Sequence, residues 1–197
     1  MDKKEAKTID IILLLTAIAA AGFLIRAIAI GSKAVFDSVL VLLLLFLMYK
    51  YKKNFDLNVA TASAGAVFFV LHLLGSHGLY DFYVFGSIGY DKLLHFYGPF
   101  VLSIIIFNYL AHYLKQKKAR IEVGHVVFFA VLITLGINAF QEVAEFTGNS
   151  LLGKGDGVFF YGSGDLGGND TPKDLIANFL GVTLSGIILY FRKRNKK

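Results

Sequence analysis

Residues 39–53 read Val39-Leu-Val-Leu-Leu-Leu-Leu-Phe-Leu-Met-Tyr-Lys50-Tyr-Lys-Lys53. An unbroken apolar run that ends on a knot of lysines is the pattern of a helix leaving a bilayer. The same pattern recurs along the chain. Runs of roughly 20 residues suffice, at 1.5 Å per residue, to cross a ~30 Å hydrocarbon core. Six such spans are expected, at about 9–30, 35–49, 57–75, 92–114, 121–146 and 172–191. The reading is an all-α, polytopic transmembrane bundle forming a single membrane domain over residues 1–197.

Composition agrees. The chain is 56% hydrophobic and 17% charged, well under the quarter or so of charged residues usual in soluble domains. The first apolar segment has no small-residue cleavage pattern and reads as a retained span. There are no cysteines, which excludes disulfides, thiol chemistry and cysteine-bound zinc.

The net charge of +6 is explained by where the charges lie. Lys and Arg cluster at 3–7, 50–53, 115–120 and 192–197, which are the two termini and every second connection; 15 of the 20 basic residues fall there. That is the positive-inside pattern, and it places both ends in the cytoplasm of a cell-membrane protein. The basic charge then meets lipid headgroups, and nucleic-acid binding is excluded.

The first two spans carry little polarity. Arg26 reads as a snorkelling side chain or a counter-ion to acids elsewhere. The second span, with no polar residue between Ser38 and Lys50, is expected to face lipid and serve structure alone. Small residues from Ala60 to Ala66 suit close helix packing in the third. Tyr80, Phe82, Tyr83, Phe85 and Tyr90 mark the 75–90 connection as an interfacial aromatic belt or short re-entrant turn. His72 and His77 beside it read as interfacial polar tips.

Acids gather at the rims of the last three spans. Asp91 and His95 stand four apart, about 40° round a helix and one turn along it. Pro99 would loosen the helix beyond them. Asn138, Glu142 and Glu145 are spaced i, i+4, i+7 at the end of the fifth span, on one stripe. The sixth opens with Asp170, Asp174 and Asn178, again on one face. Thr171-Pro172-Lys173-Asp174 also forms a good helix start, so Asp174 has a capping alternative. Between them lies a glycine-rich outer loop, 147–171, with Asp156 and Asp165; a loop of that length is suited to a lid.

By this topology the three polar stripes share the outer end of the bundle. Carboxylates brought together must protonate, pair or bind a cation. Oxygen ligands with one imidazole suit Mg²⁺, Mn²⁺ or Ca²⁺, or Zn²⁺ through His95. His95, Glu142, Glu145, Asp170 and Asp174 are the expected metal ligands. Glu142 or Asp170 is the candidate catalytic base, Asp91 orients His95, and Asn138 and Asn178 support the site. The alternative is a hydrogen-bond network that merely locks three helices together.

Asp91-Lys-x-x-His95-Phe, the glutamate pair and Asp174-x-x-x-Asn178-x-x-Gly181 together resemble the VanZ-like membrane proteins. Glu142-x-x-Glu145 with Gly164-Asp165 before Asp170 is closer to the YjdF-like inner-membrane proteins. The likeness covers about 75–190; it lacks the tryptophans expected beside the acids, with Gln141 and Gly168 or Asn169 in that neighbourhood. It implies the same membrane fold and the importance of the polar cluster. The VanZ-like group is associated with glycopeptide resistance, and the resemblance implies no reaction.

The functional expectation is an enzyme or binding protein acting on a lipid or lipid-linked phosphate at the outer face, with membrane lipids as its surroundings. Acids alone repel phosphate, so substrate and metal go together. The alternatives are a small ion-coupled transporter, which would need polar residues through the midplane beyond Ser103, Asn108 and Thr134, and a non-catalytic assembly or interaction protein.

Overall fold

The structure, a computed structural model, describes residues 2–80, 82–86, 88–152 and 170–194; the side chains of Phe146, Asp170 and residues 148–152 and 193–194 lie outside that description. Six helices follow one another: α1 (Lys3–Ala29), α2 (Ala34–Tyr51), α3 (Val59–Leu74), α4 (Tyr90–Gln116), α5 (Val123–Leu152) and α6 (Asp170–Arg194). All six contain stretches long and apolar enough to cross a membrane. The polytopic α-helical reading holds, with helix ends displaced from the expected edges where polar first turns extend a helix.

Local chemistry sets the boundaries. The Asp2 carboxylate accepts from the Glu5 amide at 2.7 Å and starts α1. Asn58 and Thr61 form a reciprocal capping box that starts α3. Gly31 turns the chain between α1 and α2 at φ +64°, a left-handed conformation that glycine adopts without steric cost.

The connection after α3 is not the simple belt expected. A π-helical turn, Gly75–Leu79, continues α3. A small antiparallel pair follows, β1 (Tyr83–Phe85) with β2 (Ile88–Gly89). The aromatic side chains of Phe82, Tyr83 and Phe85 are exposed, as an interfacial belt requires, whereas Tyr80 and Tyr90 turn inward and are buried.

Two larger apolar clusters and a small one, Tyr80, Tyr90 and Leu94, lie among the described residues. Ile9, Leu13, Val41, Leu45, Phe69 and Leu73 join α1, α2 and α3. Phe107, Val126, Val127, Ala130 and Leu189 join α4, α5 and α6. The second span is therefore not wholly lipid-facing: Asp37, Ser38, Val41, Leu45 and Met48 are buried, and at helical spacing they form a stripe down one side of α2.

One close approach positions the polar residues. A Cβ added at Gly181 would lie 2.1 Å from the Phe96 carbonyl oxygen, so α4 and α6 meet backbone to backbone. Small residues permit such contact where lipid offers no hydrophobic drive for helix association. His95 stands one residue from this contact on α4, and Asn178 three residues from it on α6, just under a turn.

Candidate functional site

His95 is the hub. It projects from the first two turns of α4 and is buried. Its Nδ1 lies 3.1 Å from Glu142 Oε1 on α5 and 3.2 Å from Asn178 Oδ1 on α6. Its Nε2 lies 3.3 Å from Asp91 Oδ1 and 3.8 Å from Asp174 Oδ1. The i, i+4 spacing of Asp91 and His95 thus delivers the contact it promises. Asn178 completes the bridge by donating through Nδ2 to Glu142 Oε1 at 3.3 Å.

Both ring nitrogens face acceptors; besides a protonated Glu142 carboxyl donating to Nδ1, two chemical solutions exist. An imidazolium donates on both sides. Alternatively, a cation takes the place of the proton on Nδ1, between His95 and the glutamates, while Nε2–H donates to Asp91. In the second solution Asp91 orients a metal-binding histidine, an arrangement common in metal sites.

Among the described residues, two groups offer three ligand atoms within 4.8 Å of one another: His95, Glu142 and Glu145, and Asp91, His95 and Asp174. Glu145 Oε1 accepts from Gln141 Nε2 at 3.0 Å. The second group already has a cation. Lys92 Nζ lies 2.5 Å from Asp174 Oδ1 and 3.1 Å from Asp91 Oδ2. Lys92 stands inside the Asp91-Lys-Leu-Leu-His95 sequence, and its part in the site is not foreseen by the spacing of the acids. A lysine one residue from a rim acid was the available signal.

The remaining expectations divide. Asp174 does not act as a helix cap: α6 begins at Asp170 and the Asp174 carboxylate is buried against Lys92. Asn138 is buried but donates to the Thr134 carbonyl of its own helix at 2.7 Å, so its polarity is satisfied locally. Asp170 lies at the first position of α6, but its side chain falls outside the described residues; of the loop expected at 147–171, residues 147–152 instead continue α5 and 170–171 open α6, while 153–169, with Asp156 and Asp165, lie outside the described residues. His72 is no interfacial tip: it is 2% exposed and hydrogen-bonded to Tyr80 at 2.6 Å. His77 contacts the carbonyls of Leu73 and Phe23.

The arrangement gathers four carboxylates against one lysine and one histidine within a helical bundle. Uncompensated charge there is expensive, so these carboxylates must be protonated, paired or joined by a further cation.

The family model described as "Predicted membrane protein (DUF2238)" matches residues 11–195. A protein of Thermotoga maritima described as an uncharacterized protein is 33% identical over 107 residues, covering 54% of this chain and 50% of that protein. The chain thus matches about half the length of that relative. No solved structure matches.

Proposed function

From the premise that the chain belongs to the DUF2238 family of predicted membrane proteins, we propose that it holds a divalent metal on His95, Glu142 and Glu145 and binds or acts on a lipid-linked phosphate. The observation that carries this is the pair of faces on His95, with Glu142 at Nδ1 and Asp91 at Nε2. A divalent ion bound there supplies Lewis acidity and neutralises phosphate charge.

The chain's own residues would do the rest. Asp91 holds the imidazole in its orientation, and Asn178 spaces His95 from Glu142. Lys92 neutralises Asp174, leaving the glutamate side as the anionic pocket. Glu142 or Asp170 is the base available to take a proton from water. The exposed apolar helix faces give acyl chains a surface to lie on. Charge placement along the sequence supports a cell-membrane location with both termini cytoplasmic and the site at the outer face. Part of the likeness to YjdF-like and VanZ-like proteins rests on Asp91, His95, Glu142, Asp174 and Asn178, which meet here, with Gly181 at the helix contact.

Lys92 favours a second reading. With Lys92 and His95 both charged, the cluster is an ion network joining α4, α5 and α6, suited to an ion-coupled carrier or an assembly protein. Metal content separates the two. Protein purified without chelator retains a divalent ion under the first reading; under the second it carries none and gains no thermal stability from Mn²⁺ or Zn²⁺.

A further inference from the structure

The middle of the bundle carries a second polar layer that the His95 cluster does not use. Ser103 on α4, Thr134 on α5 and Ser185 on α6 are fully buried. Ser103 lies eight residues along α4 from His95, Thr134 eight residues back along α5 from Glu142, and Ser185 seven along α6 from Asn178. His95, Glu142 and Asn178 touch one another. At 1.5 Å per residue the three hydroxyls therefore share one depth, about 10–12 Å further into the bundle. Ser103 and Thr134 stand at the centres of the spans Tyr90–Gln116 and Val123–Glu145.

Helix phase turns all three toward a common interior. Four residues beyond them on the same helices come Phe107, Ala130 and Leu189, members of the apolar cluster that joins α4, α5 and α6. Residues four apart share a helix face.

The hydrogen bonding of this layer is lopsided. Thr134 Oγ1 donates to the Ala130 carbonyl and Ser185 Oγ to the Val182 carbonyl, each at 2.7 Å. Both hydroxyls have committed their protons and keep lone pairs to offer. Ser103 Oγ has no hydrogen-bond partner among the described residues, a costly condition for a hydroxyl inside a membrane bundle. One water answers all three: it can donate to Thr134 and Ser185 and accept from Ser103, the usual complement of about three partners for a buried water.

The turn between the two layers is polar as well. Asn138, buried midway between Glu142 and Thr134, donates to the Thr134 carbonyl. On α4 the same turn holds Pro99, whose missing N–H leaves the His95 carbonyl without its helical donor. Polar groups thus recur at every turn from Glu142 to the hydroxyl layer, and they end at Phe107, Ala130 and Leu189.

We propose that Ser103, Thr134 and Ser185 hold ordered water, the far end of a hydrated track that begins at the His95 cluster and stops at the apolar cluster beyond. Such a track gives the carboxylates a polar path to the middle of the membrane. An ion-coupled carrier requires that path, and an enzyme working at the membrane surface does not. The layer stands on its own contacts whether or not a metal occupies the His95 cluster, so metal content and water access can fail separately.

The chain has no cysteine, so a single cysteine variant carries the only S–H bond in the protein. Infrared spectra of the full chain in lipid nanodiscs, transferred to D₂O, follow conversion of S–H to S–D. Ser103→Cys should exchange at least about tenfold faster than Ala130→Cys, which is equally buried but lies one turn past the layer. Val127→Cys replaces Ala130→Cys if the larger side chain prevents folding there. Ser185→Cys should match Ser103→Cys, and decides if Ser103→Cys does not fold. Ser103→Ala should lower the midpoint of thermal unfolding, because it removes a hydroxyl bonded to water, whereas deleting a hydroxyl without a partner would raise it. Equal exchange at the two levels, fast or slow, or a raised midpoint in Ser103→Ala, would overturn the track.

Discussion

His95 and Glu142, nearly fifty residues apart in the sequence and on the consecutive helices α4 and α5, meet with Nδ1 and Oε1 3.1 Å apart. Each is buried, so the contact is either a hydrogen bond, its proton on the ring or on the carboxyl, or the edge of a cation site. The two states differ in their response to pH, to added metal and to substitution.

Metal binding at Nδ1 must displace a proton, because the site otherwise satisfies Glu142 through an imidazole N–H. Titrating Mn²⁺ or Zn²⁺ into the protein in buffers of different ionisation enthalpy should reveal proton release, and affinity should weaken as pH falls. Affinity independent of pH would mean that the ion binds elsewhere.

Asp91→Asn keeps the shape of the orienting group but weakens its hold on Nε2–H. Loss of such a supporting carboxylate typically lowers metal affinity about 10–100-fold. Thermal stability should change much less than it does in Glu142→Gln, and calorimetric titration of both variants checks the order.

Lys92→Met leaves Asp174, which is buried, without its 2.5 Å partner. Leaving a buried charged group unsatisfied costs about 1–3 kcal/mol, and the 21% exposure of the lysine side chain favours the lower end. Asp174→Asn added to Lys92→Met should recover most of the loss, since the two residues share one interaction. Thermal unfolding of the two singles and the double measures it; additive losses would rule the pair out.

Gly181→Ala places a methyl 2.1 Å from the Phe96 carbonyl and must push α6 off α4. Overpacking of this kind costs about 1–3 kcal/mol. It should also weaken any metal held beside Asn178. Gly136→Ala, with nothing within 4 Å of the new methyl, is the comparison by thermal unfolding and should gain about 0.5–1 kcal/mol from helix propensity alone.

The six long helices were legible because a bilayer demands long apolar spans, and those dominate the sequence; the short β1–β2 pair was not, because nothing in its aromatic stretch distinguishes it from a belt. The meeting of Asp91, His95, Glu142, Asp174 and Asn178 was also legible, because i, i+4 spacing on consecutive spans aligned them at one end. Lys92 was missed because its pairing with Asp174 crosses 82 residues and no local spacing encodes it. Asp37 was missed because a leucine block dominates its helix, although a lone acid at the rim of such a block carries the same message as Glu142. Asn138 sits on the same polar stripe, and its amide donates to the Thr134 carbonyl of its own helix.

Topology supplies an independent check on the proposed outer location. Reporter fusions at the C-terminus and within 153–169 should report opposite sides of the membrane, with the C-terminus cytoplasmic. A cytoplasmic signal from the loop would move the site to the inner face and remove the outer-leaflet substrate.

The most direct measurement is the divalent metal content of protein purified without chelator, by elemental analysis, beside His95→Gln, Glu142→Gln and Gly136→Ala. The metal-centre account predicts about one ion per chain in the wild type and in Gly136→Ala, with loss in the two site variants while they remain folded. Wild-type protein without metal, or site variants that keep it, would contradict the account.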